Sequence, residues 1–388
     1  MKILFISDNR IFGFGGGSVE NKKYFDALKV KSERDGDVLK ILSPDNDPKW
    51  GLGIDIHKSI LTDITARILG HSSFLYLIVR KHRNEILDFN PDVVVLGRSR
   101  FGFVPKLLKK YLPFCKFVTN VDNVEIDFVK DTYIHSGILS SVRQFLESHA
   151  VLHDERDSVK YSDALIYLTR RNVERIRIIY DHYEDNPTIL PICVPKNSDL
   201  PNVKTKKSTF VFLGSLDYEP NIEAVQYLIN EIWVPNFSLR QDVTLVIAGR
   251  NPAKSLEDEI SKITNIRIVA NFQHVSDFAP LGAVLLAPIF SGSGMKVKVA
   301  DALSQGFLVV GSEEALVGYE EAISDDSDSG IVQAVNSSEF VEAIQNAAVM
   351  DKDEKKAIAL NNVKICSNYY DYSRSRKVIS SVIDTITA

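Results

Sequence analysis

The sequence predicts two successive doubly wound α/β domains, each built on a parallel sheet. Short apolar runs alternate with helix-period segments through nearly the whole chain. The alternation lapses once, across residues 194–208, and then restarts. A chain of 388 residues is long enough to bury two cores of this kind.

The first half carries five strand signals: "KILFIS" (Lys2 to Ser7), "VLKILS" (Val38 to Ser43), "DVVVLG" (Asp92 to Gly97), "KFVTNV" (Lys116 to Val121) and "ALIYLT" (Ala164 to Thr169). Between them lie periodic segments such as "VENKKYFDALK" and "FVPKLLKKYL". Strands that are apolar on both faces and separated by helices pair in parallel, with helices covering the sheet. The segment "PICVPKNSDLPNVKTKKS" mixes prolines, lysines and polar residues and reads as a linker. Five more strands follow: "TFVFLG" (Thr209 to Gly214), "VTLVIAG" (Val243 to Gly249), "IRIVA" (Ile266 to Ala270), "AVLLAP" (Ala283 to Pro288) and "FLVVGS" (Phe307 to Ser312). The expected domains are residues 1–195 and 208–370, with a final helix in 371–388 returning to the first. Open α/β sheets bind ligands outside the carboxyl ends of their strands, so two such domains predict a central cleft.

Composition narrows the function. The chain is 45% hydrophobic and 25% charged with a formal net charge of -5, which argues against a nucleic-acid partner. Cys115, Cys193 and Cys366 are distant and odd in number, and read as core residues rather than a disulfide framework or metal cluster. The start, "MKILFISDNR", is too short in apolar residues for a signal peptide and reads as a strand. No run approaches the roughly 18 apolar residues of a membrane span. A cytoplasmic location is expected, and the sequons at Asn236 and Asn336 are read as accidental.

Two glycine-rich turns carry the chemistry. "FGFGGGSVENKKYFDALK" follows the first strand and opens a helix, with Ser18 as the expected N-cap. Gly15, Gly16 and Gly17 let backbone approach a ligand, although their spacing is a poor dinucleotide fingerprint. In the second half, "APIFSGSGMKVKVADALSQG" places Ser293, Gly294, Lys296 and Lys298 at a helix start near Met295. Free amides and the helix dipole there favour an anion, and two lysines can neutralise a diphosphate without a metal. Asp301, one turn on, can reach ribose hydroxyls. Gly214 and Ser215 end another strand, where small residues leave room for phosphate or sugar.

"FLGSLDYEPNIEAVQYLINEI", "GSGMKVKVADALSQGFLVVGS" and "ALVGYE" resemble the second domain of GT-B glycosyltransferases, specifically family-4-like retaining enzymes of bacterial polysaccharide synthesis. "TNVDNVEID" and "HDERDSVKYSDALIYLT" are similar to first-domain segments of that group. The resemblance implies two Rossmann-like domains facing a cleft, and a nucleoside-diphosphate sugar, with UDP favoured, held mainly by the second. It implies a diphosphate near Gly214, Ser215 and the turn Ser293–Gly294–Met295–Lys296, ribose on Asp301, and a nucleobase flanked by Arg250, Phe272 and Gln273. Gly15, Gly16 and Gly17 would close over the donor or acceptor.

There are departures. The family's paired glutamates stand here as Ser293 and Asp301, the usual arginine after the Gly214 turn is missing, and Asp122 replaces a frequent histidine that contacts the transferred sugar. Lys296 or Lys298 must then carry the missing arginine's charge. The expectation is a retaining, metal-independent hexosyltransferase acting on a glycan, glycolipid or glycoprotein acceptor, with Asp122, Lys296 and Asp301 as catalytic candidates. Two alternatives stay open: a sugar-nucleotide epimerase on the same fold, and a non-catalytic relative that binds sugar nucleotide or glycan.

Other features have plainer readings. His149 and His153 lie four apart on a predicted helix, a zinc-competent spacing with no third ligand evident in sequence. "FVPKLLKKYLPF" and "YLIVRKHRNEIL" are basic and amphipathic, suited either to packing on the sheet or to peripheral contact with the inner face of a membrane.

Overall fold

The structure is a computed structural model that describes residues 1–13, 15–132, 138–196, 207–324 and 329–388, and side chains outside 131–142. It divides into two compact units, Met1–Cys193 with Tyr372–Ala388, and Val194–Asp371. Most of the predicted linker, residues 197–206, lies outside the described residues.

The first unit holds β1 (Lys2–Ile6), β2 (Val38–Leu42), β3 (Val93–Leu96), β4 (Lys116–Val121), β5 (Ala164–Tyr167) and β6 (Thr188–Ile189). They form one parallel sheet in the order β2-β1-β3-β4-β5-β6. Its helices are α1 (Gly16–Asp35), α2 (Ile60–Ile68), α3 (Leu75–Lys81), α4 (Arg83–Phe89), α5 (Phe103–Leu108), α6 (Glu125–Thr132), α7 (Ile138–Tyr161) and α8 (Arg170–Tyr180). The unbroken apolar strands have a direct cause. Ile3, Phe5, Val93 and Val95 pack beneath Tyr24 and Leu28 of α1, while Leu4, Ile6, Val94 and Leu96 pack on the opposite face against Leu75, Val79, Val104 and Leu108. Both faces are covered, so β1 from Ile3 to Ile6 and β3 from Val93 to Leu96 are apolar at both sets of alternate positions. Each such burial contributes about 1.5–3 kcal/mol before the entropy of ordering is subtracted.

The second unit holds β7 (Ser208–Leu213), β8 (Val243–Gly249), β9 (Ile266–Ala270), β10 (Val284–Ala287), β11 (Leu308–Gly311) and β12 (Ile331–Gln333). Their order is β12-β11-β10-β7-β8-β9, again parallel throughout. Around it run α9 (Glu219–Tyr227), α10 (Val234–Phe237), α11 (Lys254–Ile260), α12 (Val297–Ser304), α13 (Glu320–Ser324), α14 (Ser337–Val349) and α15 (Lys352–Tyr369). A π-helical turn, Leu228–Trp233, joins α9 to α10 and delivers Trp233 into the core. There its indole nitrogen donates to Asn265 at 3.1 Å.

The last helix, α16 (Tyr372–Thr387), belongs to the first unit and packs along α1. Ile379 and Ile383 join the core beneath it, and Arg376 makes a paired contact with Asp26 at 2.7 and 3.2 Å.

Two local expectations change. The helix predicted from Phe103 stops at Leu108 and gives way to turns before Pro113. The run at residues 76–87 breaks at His82 into α3 and α4. Phe103, Val104, Leu108 and Leu112 are core residues, and Lys106 and Lys109 pair with Asp157 (2.8 Å) and Asp163 (3.1 Å). The basic stretch therefore packs on the sheet through its apolar side. No helix among the described residues is long and apolar enough to cross a membrane.

α5 approaches α7 closely only because residue 102 has no side chain. A Cβ on Gly102 would stand 1.9 Å from the carbonyl oxygen of Asp154 and 2.2 Å from the amide of Ser158. Backbone cannot yield as a flexible side chain does, so Gly102→Ala should destabilise by about 3 kcal/mol. Urea unfolding of the purified variant checks this; a change under about 0.5 kcal/mol, the size of a neutral surface substitution, would contradict the packing described.

Candidate functional site

In the second unit, the carboxyl ends of β7 and β8 meet through two glycines. A Cβ on Gly249 would lie 1.8 Å from the carbonyl oxygen of Gly214, so no other residue permits this approach. Gly214 in turn leaves space for an ammonium. A Cβ there would fall 2.7 Å from the Asn221 amide nitrogen and 3.0 Å from Lys298 Nζ. Lys298 donates to Asn221 Oδ1 at 2.7 Å and sits 4.5 Å from the centroid of the Phe212 ring. Asn221 donates to the Ser215 carbonyl at 2.9 Å, tying the first turn of α9 to the end of β7. Burial pushes the Lys298 ammonium down to about 7, and repulsion from Lys296 adds to the shift.

The glycine turn before α12 is built differently. Gly292 and Gly294 have φ of 93° and 74°, which only glycine adopts without strain. Lys296 is the N-cap residue of α12, and its ammonium donates to the carbonyls of Gly292 (2.8 Å) and Gly294 (2.8 Å) and to Glu314 (3.0 Å). This lysine clasps the turn. Tyr319 donates its hydroxyl to the Lys296 carbonyl and accepts from the Ala300 amide, each at 2.9 Å, fixing the start of α12. Met295 is buried beneath the turn, and Ser293 is half-buried, its hydroxyl without a hydrogen-bond partner among the described residues. Asp301 lies one turn into α12, where burial raises its carboxyl to about 6.

The remaining candidates sit at neighbouring strand ends. Arg250 follows β8 and its carbonyl accepts the Leu216 amide at 2.8 Å. Ser215 and Asn251 both donate to Asp217, at 2.7 Å each, bracing that loop. Phe272, beyond β9, meets Phe278 edge-on at 5.1 Å, and Gln273 beside it is exposed. Gly214, Ser215, Asn221 and Lys298 are thus brought into one cluster, with Lys296 held in the adjoining turn. Asn221 had no sequence signal beyond its place in the first turn after "DYEP".

The first unit gathers charge at the ends of β1, β3 and β4. Arg98, after β3, lies 2.9 Å from Glu125 and 3.9 Å from both Asp8 and Asp122. Arg100 also pairs with Glu125. Burial disfavours the Arg98 charge, but Glu125, Asp8 and Asp122 outweigh it and hold the guanidinium protonated. Asp122 has the opposite balance. Burial drives its carboxyl well above the ordinary range, Arg98 resists, and Glu125 and Glu20 push the same way as burial. Asp8 Oδ1, Glu20 Oε2 and Asp122 Oδ1 are buried with no hydrogen-bond partner among the described residues. Asp8, Arg98 and Glu125 were not singled out from sequence, although each follows a recognisable strand by one to four residues.

The adjacent glycine loop starts its helix earlier than expected. Gly15, at φ 100°, is the N-cap and α1 begins at Gly16, so Ser18 lies inside the helix rather than capping it. Ser18 tucks beneath Gly13, where a Cβ would stand 2.9 Å from its hydroxyl. A Cβ on Gly17 would stand 2.7 Å from the Asn9 side chain.

With this geometry in view, comparison with known proteins is informative. Residues 207–348, wholly within the second unit, match the family described as glycosyl transferases group 1. Sucrose-phosphate synthase from Thermosynechococcus elongatus superposes with a TM-score of 0.71 at 13% identity, covering 99% of this chain and 98% of that one. WaaG, a glycosyltransferase involved in lipopolysaccharide biosynthesis, gives 0.65 at 16% identity over 97% and 99% of the two chains. HepE from Anabaena, solved with UDP-glucose, gives 0.60 at 12% identity over 99% and 100%. No curated protein matches the sequence. The whole chain thus shares its two-domain α/β fold with these structures, and the family match is confined to the second unit. Its second unit carries the glycosyl transferases group 1 domain.

Asp122 has a measurable signature. A carboxyl raised by burial binds its proton more tightly in the folded than in the unfolded chain. Its contribution to stability is therefore complete below the unfolded value of about 4 and is lost as pH rises through the folded value. Asp122→Asn should raise the melting temperature relative to the parent at pH 8, and the gain should shrink by pH 5. A gain that is equal at both pH values, or a loss at pH 8, would contradict the account of this carboxyl.

Proposed function

We propose that this protein moves a hexose from a nucleoside diphosphate sugar to a glycan or lipid-linked acceptor, with retention at the anomeric carbon and no metal requirement. The observation that carries the reading is Lys298, an ammonium kept beside Gly214 at the mouth of a group 1 glycosyltransferase domain. A diphosphate leaving group develops negative charge as the glycosidic bond to the donor breaks. An ammonium already stripped of most of its water stabilises that charge more than a solvated one would. The turn at residues 292–296 supplies peptide dipoles at the start of α12, and Lys296 keeps the turn in shape rather than facing the phosphate. Asp301 is assigned to the ribose.

In this mechanism the departing phosphate oxygen takes the proton of the attacking hydroxyl on the same face, so no protein base is needed at the anomeric carbon. The unpartnered carboxylate oxygens of Asp8, Glu20 and Asp122 suit a ligand rich in hydroxyl donors, and the first unit is assigned to the acceptor. UDP is the favoured nucleotide: the HepE structures hold UDP-glucose or UDP. The WaaG description names lipopolysaccharide biosynthesis, consistent with a surface glycan as acceptor.

The test has two parts. A panel of nucleoside diphosphates is screened by thermal shift without divalent cations, and UDP should stabilise the protein above the others. Lys298→Met, which keeps the chain length and removes the charge, should then weaken UDP binding and lower kcat/KM at least tenfold with the best donor. No response to any nucleotide in the folded parent protein would defeat the reading. A Lys298→Met variant with full turnover would remove the lysine from the mechanism.

A further inference from the structure

Sequence spacing pairs His153 with His149, but the fold pairs it with His71. His71 lies in the turn after α2, whereas His153 and Asp154 lie on α7. One ligand atom from each of His71, His153 and Asp154 falls within 4.8 Å of the others. His71 Nδ1 is 2.8 Å from Asp154 Oδ1, and His153 Nδ1 is 3.5 Å from the same oxygen. Tetrahedral coordination with metal–ligand bonds of about 2.0–2.1 Å places neighbouring ligand atoms about 3.3 Å apart, and both distances to Asp154 Oδ1 lie within about 0.5 Å of that.

We propose that His71, His153 and Asp154 form a zinc-class divalent metal site that ties the turn after α2 to α7.

The surroundings are those a metal site needs. Asp154 is fully buried; Oδ2 accepts from the Ser72 amide at 2.7 Å and the Ser72 hydroxyl at 2.9 Å, and Oδ1 is hydrogen-bonded to His71 Nδ1, the contact an ion would replace. His153 Nδ1 is buried and has no hydrogen-bond partner among the described residues. Its other nitrogen lies 3.4 Å from Lys106 Nζ and 3.6 Å from Asp157 Oδ2. Lys106 also pairs with Asp157 at 2.8 Å, so its charge is shared between that carboxylate and the Nε2 edge of the ring, opposite the Nδ1 that would face the ion. His71 stacks on Tyr76, with ring centres 3.7 Å apart, so its orientation is already restricted. The His153 side chain is 42% exposed, giving an entry path and a place for water as the fourth ligand. The site is separate from the Lys298 cluster, and the role we infer is structural.

The experiment titrates chelator-treated, full-length protein with Zn²⁺ by calorimetry, and with Co²⁺ followed by visible absorption. One equivalent of Zn²⁺ should bind, Co²⁺ should develop the d–d bands of a four-coordinate site with nitrogen ligands, and the melting temperature should rise. His153→Ala should weaken Zn²⁺ binding at least a hundredfold. Circular dichroism confirms that the variant is folded, and the exposed His153 position makes that the expected result. Absence of stoichiometric Zn²⁺ binding in the parent, or binding unchanged in folded His153→Ala, would overturn the site.

Discussion

The architecture of the second unit depends on keeping one ammonium where water reaches it poorly. Lys298 is held over the end of β7 by Asn221 and the Phe212 ring, and it fits only because residue 214 has no side chain. That placement is costly in the free protein, since burial pulls the lysine toward its neutral form. A bound dianion reverses the cost. The surrounding features serve the same end: Gly249 admits the Gly214 carbonyl, Asn221 anchors α9 to the strand, and Lys296 closes the neighbouring turn through its own carbonyls. Two lysines separated by a single residue therefore have different partners: Lys296 holds its own turn, and Lys298, beside Gly214, is the one we assign to the ligand.

The first unit solves the converse problem at the same edge of its sheet. Here carboxylates crowd around Arg98, and one guanidinium cannot satisfy Asp8, Asp122 and Glu125 together. Glu125 takes most of the positive charge because Arg100 joins it, and Asp122 is left to favour its protonated form. Polar atoms buried without partners are expensive to maintain. Their concentration at the carboxyl ends of parallel strands is where open α/β sheets take ligands, and a hydroxyl-rich ligand would relieve them.

Much of the fold was legible because both sheets are buried on both faces. β8 and β9 coincide with the runs Val243 to Gly249 and Ile266 to Ala270: β8 is buried along almost its whole length, and β9 is an edge strand that keeps enough β-branched residues to read as one. β6 and β12 escaped notice because strands of two and three residues, each at a sheet edge, carry no periodic signal. The N-cap of α1 was misplaced because Gly15 starts the helix by its positive φ, without the side-chain oxygen that marks a cap in sequence. The sites were harder to read. "GSGMKVK" announces positive charge beside a helix start, but which lysine folds back on the turn is decided by Glu314 and Asn221, eighteen and seventy-seven residues away from their partners. Asp154 and His71 are likewise eighty-three residues apart. Contacts of that range leave no local pattern.

The central claim is that burial makes Lys298 easier to deprotonate in the empty protein and that a diphosphate restores its hold on the proton. Lysine ε-carbon NMR of protein labelled at lysine, assigned with Lys298→Met, reads this directly. The signal should titrate near pH 7 without ligand and move to clearly higher pH with UDP. A resonance that titrates near the ordinary lysine value of about 10.4 and ignores UDP would contradict the account.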